Sequence, residues 1–185
     1  MAYFAVIDTE TNWNDAVMSM GIALADAGSL CLGDSRYYVL SPEYQVGGMY
    51  ADVLDLVPGG DTRVRTRSQA MAELGSWLSE VGVVGIFAYN ARFDRSHMPE
   101  LAGFPWFDIM RVAAYRQYNP FIPSSAPCCA TGRLRSHYGV EPITQLLTGD
   151  CRYRETHNAL LDAVDELNIM KCLGLPLEAY ACARL

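Results

Sequence analysis

The chain has 185 residues, is 51% hydrophobic and 19% charged, and carries a net charge of −7. That length and core content suit one compact domain spanning residues 1–185 and leave little place for long disordered tracts. The acidic balance argues against a tight non-specific nucleic-acid binder; no apolar run reaches the ~18 residues of a membrane span, and no basic segment with an apolar core opens the chain, so the expectation is a cytoplasmic protein without membrane contact.

Tyr3–Asp8 is short, apolar and rich in aromatic and β-branched residues, which predicts a buried strand. Met18–Ala25 and Arg36–Leu40 read as two more strands, each followed by turn residues, so the three form an antiparallel meander. Gly47–Gly60 is loop-rich, and its Gly47-Gly48 and Gly59-Gly60 pairs read as turn glycines, not phosphate cradles. Ser68–Val81 is predicted as an amphipathic helix with Ser68 as N-cap and Met71, Leu74, Trp77, Leu78 and Val81 on one face.

Val83–Ala88 then reads as a strand lying parallel to the first through a crossover. A helix over Phe93–Leu101, a short strand at Trp106–Asp108 and a helix from Ile109 to Tyr118 follow. Asn119–Thr131 holds three prolines and reads as an irregular loop. Arg133–Tyr138 and Ile143–Leu147 are predicted as short helices, and Asn158–Leu173 as a long one stopped by Gly174 and Pro176. The expected fold class is therefore α/β, a mixed β-sheet of three antiparallel strands and then parallel strands, flanked by helices.

The six cysteines form no C-x-x-C pair, and vicinal Cys128-Cys129 with Cys151 lacks a recognisable zinc spacing, so they read as reduced thiols. Charge is unevenly spread. Residues 111–154 hold Arg111, Arg116, Arg133, Arg135, Arg152 and Arg154 against only Glu141 and Asp150, which can mark a binding face. Arginine dominates the basic residues, Lys171 being the single lysine, and its planar fork suits phosphate contacts.

Three fragments carry chemistry. In Asp8-Thr9-Glu10, the two acids share one face of a strand end, where they repel unless a proton or a hard cation joins them. In Asn90-Ala-Arg-Phe93-Asp94, the acid follows the second apolar strand; if that strand lies beside the first, Asp94 joins Asp8 and Glu10. In His157-Asn-Ala159-Leu-Leu-Asp162, a five-residue separation puts the two groups ~140° apart on a regular helix. They face one site only if His157 lies in the lead-in and Asp162 on the first turns. Ala159 and Ala163, four apart, would let that helix approach the sheet closely. Each fragment also has a plainer reading: acids at a strand turn, a helix cap at Asp94, a surface histidine with a solvent-facing Asp162. No G-x-S-x-G elbow, G-x-x-x-x-G-K-[ST] loop or H-E-x-x-H helix offers a rival hydrolase site.

In order and spacing these fragments resemble the D-x-E, N-x-x-F-D and H-x-A-x-x-D motifs of the DEDDh exonucleases, over nearly the whole chain. The resemblance implies a ribonuclease-H-like fold and 3′→5′ hydrolysis of phosphodiester bonds with release of nucleoside 5′-monophosphates. It implies two Mg²⁺ or Mn²⁺ ions held by Asp8, Glu10, Asp94 and Asp162, with Asp8 bridging them and His157 as general base. Partners would be nucleic-acid 3′ ends, single-stranded DNA or RNA, with a second copy of the chain or a polymerase as protein partner. A non-catalytic nucleic-acid- or polymerase-binding module on the same fold is the alternative. Thr9, Asn90, Phe93, Trp13, Arg133 and Arg135 are the expected substrate contacts. The first motif departs from the family at Thr11-Asn12-Trp13, where T-G-L is common. Trp13 there either stacks on a base or packs under a loop.

Overall fold

A computed structural model describes residues 2–56 and 62–185. The expected strands become β1 (Tyr3–Thr11), β2 (Val17–Asp26) and β3 (Leu32–Leu40), an antiparallel meander longer at its ends than the apolar runs alone indicate. β4 (Thr62–Arg65) pairs parallel to β3 at the sheet edge and was not anticipated. Its Thr-Arg-Val-Arg sequence has no apolar run, and arginines on an edge strand discourage further pairing. The pair Gly59-Gly60 lies outside the described residues.

Helix α1 (Arg67–Val81) starts one residue earlier than expected and is capped by Thr66, not Ser68. Thr66 and Gln69 form a reciprocal capping box, a stronger start than the lone serine hydroxyl. The crossover returns the chain to β5 (Ile86–Ala88), parallel to β1, and then to β6 (Trp106–Asp108), parallel to β5. The six strands stand in the order β4-β3-β2-β1-β5-β6, so β1 is interior and its C-terminal end lies beside that of β5. Between β5 and β6, α2 (Arg92–His97) and a short 3-10 turn at Pro99–Leu101 replace the one helix expected over Phe93–Leu101.

Helix α3 spans only Met110–Ala113, not Ile109 to Tyr118, because Asn119 turns its side-chain amide back onto the carbonyl of Ala113. Arg133–Tyr138 is not helical. Arg133 and Leu134 bridge to Tyr115 and Cys128, and the Leu134 amide donates to Ala114, so long-range pairing takes the backbone groups a helix would use. Helix α4 (Val140–Thr148) contains the expected Ile143–Leu147 turn. Helix α5 (Ala159–Leu173) begins at its Asn158 cap and ends at Gly174, whose φ of 64° is the left-handed geometry of a helix stop.

The core lies on both faces of the sheet. Phe4, Val6, Ala23 and Phe87 pack with α3, α4 and α5; Ala5, Ile7, Ile22 and Ile86 pack with α1. Strand alternation therefore puts Asp8 and Glu10 on the α5 side, in line with Phe4 and Val6. Gly21 sits opposite Asp8 on β2. A Cβ there would stand 2.1 Å from the Ala159 carbonyl oxygen, so α5 rests directly on β2 at the level of the acids. Ala159 and Ala163 are fully buried, as the close approach requires.

Candidate active site

Three elements bring the carboxylates together. Asp8 and Glu10 come from the end of β1, where the register with β2 shifts between Glu10 and Thr11, the kind of bulge that re-aims side chains near sites. Asp94 comes from the first turn of α2, inside the helix and not at its cap, and is 2% exposed. Thr9 Oγ1 donates to Asp94 Oδ1 at 2.8 Å and so joins β1 to α2. Asp162, also 2% exposed, comes from the first turn of α5.

His157 stands in the lead-in to α5 with φ of 58°, the position its five-residue spacing from Asp162 demands. Ligand atoms of Glu10, His157 and Asp162 all lie within 4.8 Å of one another. The Tyr50 ring stacks on the imidazole at 4.0 Å and 14°. Asn158 locks this turn: Oδ1 accepts from the amides of Leu160 and Leu161, and Nδ2 donates to Val53 O and the Tyr37 hydroxyl.

The electrostatics are those of crowded, dehydrated acids. Burial raises the Asp8 carboxyl well above its ordinary range, and Glu166, Asp94, Glu10 and Asp162 push it further. Burial, with Asp162, Glu155 and Asp94 nearby, lifts Glu10 to about 8. Asp94 rises to about 7 through burial, against the opposing Thr9 hydrogen bond. Asp162 rises to about 7 through burial and the charges of Glu155 and Asp165, against the amides of His157 and Thr156. His157 is lowered by burial, which favours neutral imidazole, a proton acceptor at neutral pH. Asp8 Oδ2 and Asp162 Oδ1 are buried and find no hydrogen-bond partner among the described residues. Buried carboxylate oxygens left in this way fit hard divalent cations, and so does a donor set made of carboxylates.

The expected substrate contacts divide. Asn90, exposed and at φ of 61°, makes the turn from β5 to α2. Phe93 is 39% exposed and rests against His97, which reaches Asp15 Oδ1 at 3.2 Å and ties α2 to the β1–β2 loop. Trp13 is 67% exposed beside Gly47, so packing under a loop does not describe it. The Arg133 guanidinium lies 4.5 Å over the Tyr138 ring and lines a cleft of about 340 Å³ with Tyr89, Asn90 and Met110. Arg135 instead turns its Nε to Cys128 O in the neighbouring loop.

Sequence reasoning missed Tyr50, Gly21 and Glu166. Tyr50 carries no local signal, since its stacking depends on how residues 47–56 fold back over α5. Glu166 had one: a carboxylate four residues after Asp162 falls on the same helix face. It is 2% exposed, and its Oε2 accepts from the Tyr89 amide at 3.0 Å.

No protein-family model matches this sequence, and no curated protein sequence matches it. Solved structures do. The nuclease domain of 3′hExo, a DEDDh family member bound to rAMP, superposes with a TM-score of 0.63 at 13% identity over 96% of this chain and 93% of that one. A 3′-exonuclease that recognises the 3′ end of a histone mRNA stem-loop matches with a TM-score of 0.63 at 12% identity. This chain is 94% covered there and spans 64% of that protein. The zinc-bound E. coli ExoI–ssDNA complex matches with a TM-score of 0.60 at 14% identity over 94% of this chain, which spans 40% of ExoI. The chain thus shares its fold, a six-stranded mixed sheet flanked by helices, with these exonucleases, one of them a DEDDh family member. Among the described residues no helix is long and apolar enough to cross a membrane.

Proposed function

We propose that this chain is a metal-dependent 3′–5′ exonuclease acting on single-stranded DNA or RNA ends and releasing nucleoside 5′-monophosphates, with residues 1–185 serving as one exonuclease domain. The observation that carries the reading is the convergence of Asp8, Glu10, Asp94 and Asp162 from three elements, with buried oxygens of Asp8 and Asp162 unpartnered and His157 beside Glu10 and Asp162. The likeness in fold to nucleases bound to rAMP and to single-stranded DNA supports it.

The four carboxylates would hold Mg²⁺ or Mn²⁺, two ions by the family resemblance. Divalent cations at such a site supply charge to the phosphate oxygens and a water acidic enough to attack. His157, neutral through burial, would take that water's proton at its imidazole ring, with Tyr50 stacked on the ring and Asn158 locking the turn that carries it. Thr9 would keep the Asp94 carboxylate aimed at the site. Trp13 and Phe93, both exposed, would meet the bases, and Arg133 in its cleft the incoming phosphate backbone.

Turnover of a labelled oligonucleotide before EDTA, after it, and after Mn²⁺ is restored tests the proposal. Loss and recovery of hydrolysis are expected, and full activity in EDTA would overturn the metal-dependent mechanism. Tight binding of the oligonucleotide without hydrolysis in Mn²⁺ would favour the binding-module alternative.

A further inference from the structure

Glu166 is a buried carboxylate to which the proposed chemistry gives no task. It lies one turn beyond Asp162 on the sheet-facing side of α5, where Ala163, Leu167 and Met170 are also buried. An apolar residue is the ordinary occupant of such a position. A carboxylate there is costly unless hydrogen bonds compensate it. The compensation comes from a residue 77 positions away, since Glu166 Oε2 accepts from the backbone N–H of Tyr89.

Tyr89 is the residue directly after β5. The ladder between β1 and β5 pairs Ala5 with Ile86 and Val6 with Phe87, ending short of Tyr89, so this amide lies beyond the strand pairing. The same backbone continues through Asn90, in its left-handed turn, into the first turn of α2 and Asp94. The Glu166–Tyr89 contact therefore joins the helix that carries Asp162 to the turn that delivers Asp94. Asp8 lies close by: among neighbouring charges, Glu166 weighs most on Asp8, and Asp94 weighs most on Glu166.

We propose that Glu166 is a positioning residue of this site: by holding the Tyr89 amide it sets the distance between Asp162 on α5 and Asp94 on α2, and so how well the carboxylates bind cations together. The consequence for turnover rests on the nuclease reading; the consequence for cation binding does not. Reach is the property required, and reach can be separated from charge. Glu166→Gln keeps the side-chain length and a carbonyl oxygen to accept from Tyr89 but removes the charge. Glu166→Asp keeps the charge and loses the reach.

The experiment is Mn²⁺ titration calorimetry on the full chain, beside kcat and KM on an oligonucleotide and hydrogen exchange at the Tyr89 amide. Glu166→Asp should weaken Mn²⁺ binding by ~10–100-fold, the range seen when an outer partner of a metal ligand is lost. Its kcat should fall while KM stays within about threefold, the pattern of lost alignment and not lost substrate binding, and its Tyr89 amide should exchange faster. Glu166→Gln should restore most of the Mn²⁺ affinity and the slow exchange. An aspartate variant that binds Mn²⁺ like the unaltered chain, or a glutamine variant as impaired as the aspartate, overturns the proposal. Should Glu166→Asp fail to fold, the glutamine variant still decides, because loss of Mn²⁺ affinity there contradicts a role resting on reach. An unaltered protein that binds Mn²⁺ but cuts no oligonucleotide overturns the nuclease reading alone, and the variants' Mn²⁺ affinities then settle the positioning role.

Discussion

Stripped of cations, this protein should lose stability as pH rises, the reverse of an ordinary acid-denatured protein. Glu10, Asp94 and Asp162 have ordinary values of 4.5, 3.8 and 3.8, and the fold raises them to about 8, 7 and 7. A carboxyl with a raised folded pKa keeps its proton in the native state while the unfolded chain has lost it. Its contribution to stability is complete below about pH 4 and is lost progressively up to the folded value. His157 works the other way, because its lowered pKa favours folding as pH rises through its ordinary 6.5, and it cancels at most one proton. The carboxylates whose pKa falls on folding, Asp26 and Glu100, act below the window of interest. Each net proton held only by the native state costs about 1.4 kcal/mol per pH unit. One net proton between pH 5 and pH 7 thus removes about 3 kcal/mol, a large part of a typical stability of 5–15 kcal/mol. Urea unfolding followed by tryptophan fluorescence, in EDTA at half-unit steps from pH 5 to 8, reads this directly. The midpoint should fall across the series, and Mn²⁺ at pH 7.5 should raise it again. A midpoint that is flat or rising in EDTA would refute the crowded-acid account.

Other perturbations follow from the same geometry. His157→Ala should lower kcat by ~10²–10⁴-fold, the usual weight of a general base, while Mn²⁺ binding by calorimetry survives; Asp8→Ala should lose both. Gly21→Ala pushes a Cβ into the Ala159 carbonyl at 2.1 Å, so α5 must shift. Overpacking of this kind costs roughly 1–3 kcal/mol, and a lowered melting temperature with reduced turnover is expected; an unchanged melt would place the α5–β2 contact elsewhere. Arg133→Ala should raise KM and flatten its dependence on salt with kcat little changed, whereas Arg135→Ala should do less, a contrast that oligonucleotide kinetics at two ionic strengths will show.

Much of the candidate site's arrangement was legible because its geometry is local. Asp8 and Glu10 two apart on a strand share a face whatever surrounds them, and the five residues from His157 to Asp162 work only across a helix start, which is where Asn158 caps α5. Strands β5 and β6 were legible as short apolar stretches that each follow a helix. What escaped depends on contacts distant in sequence. β4 is an edge strand whose arginines hide any pattern, and the backbone of residues 133–135 pairs with residues 114–128 instead of forming a helix turn. The Thr66 cap was legible in principle, since Gln69 stands three residues on. Tyr50 reaches His157, and Glu166 reaches Tyr89, only once the sheet has assembled.

The central claim is tested most directly by a 5′-labelled single-stranded oligonucleotide incubated with the protein and Mn²⁺, sampled over time beside a blunt duplex and the Asp8→Ala variant. Reaching a scissile phosphate in a cleft requires an unstacked terminal nucleotide, and a single-stranded end provides one without the cost of unpairing. The account predicts a ladder that shortens progressively from the 3′ end, faster on the single strand than on the duplex, with no cleavage by Asp8→Ala. Internal cuts at the first time point, degradation of a 3′-blocked strand from its 5′ end, or equal cleavage by Asp8→Ala would contradict it.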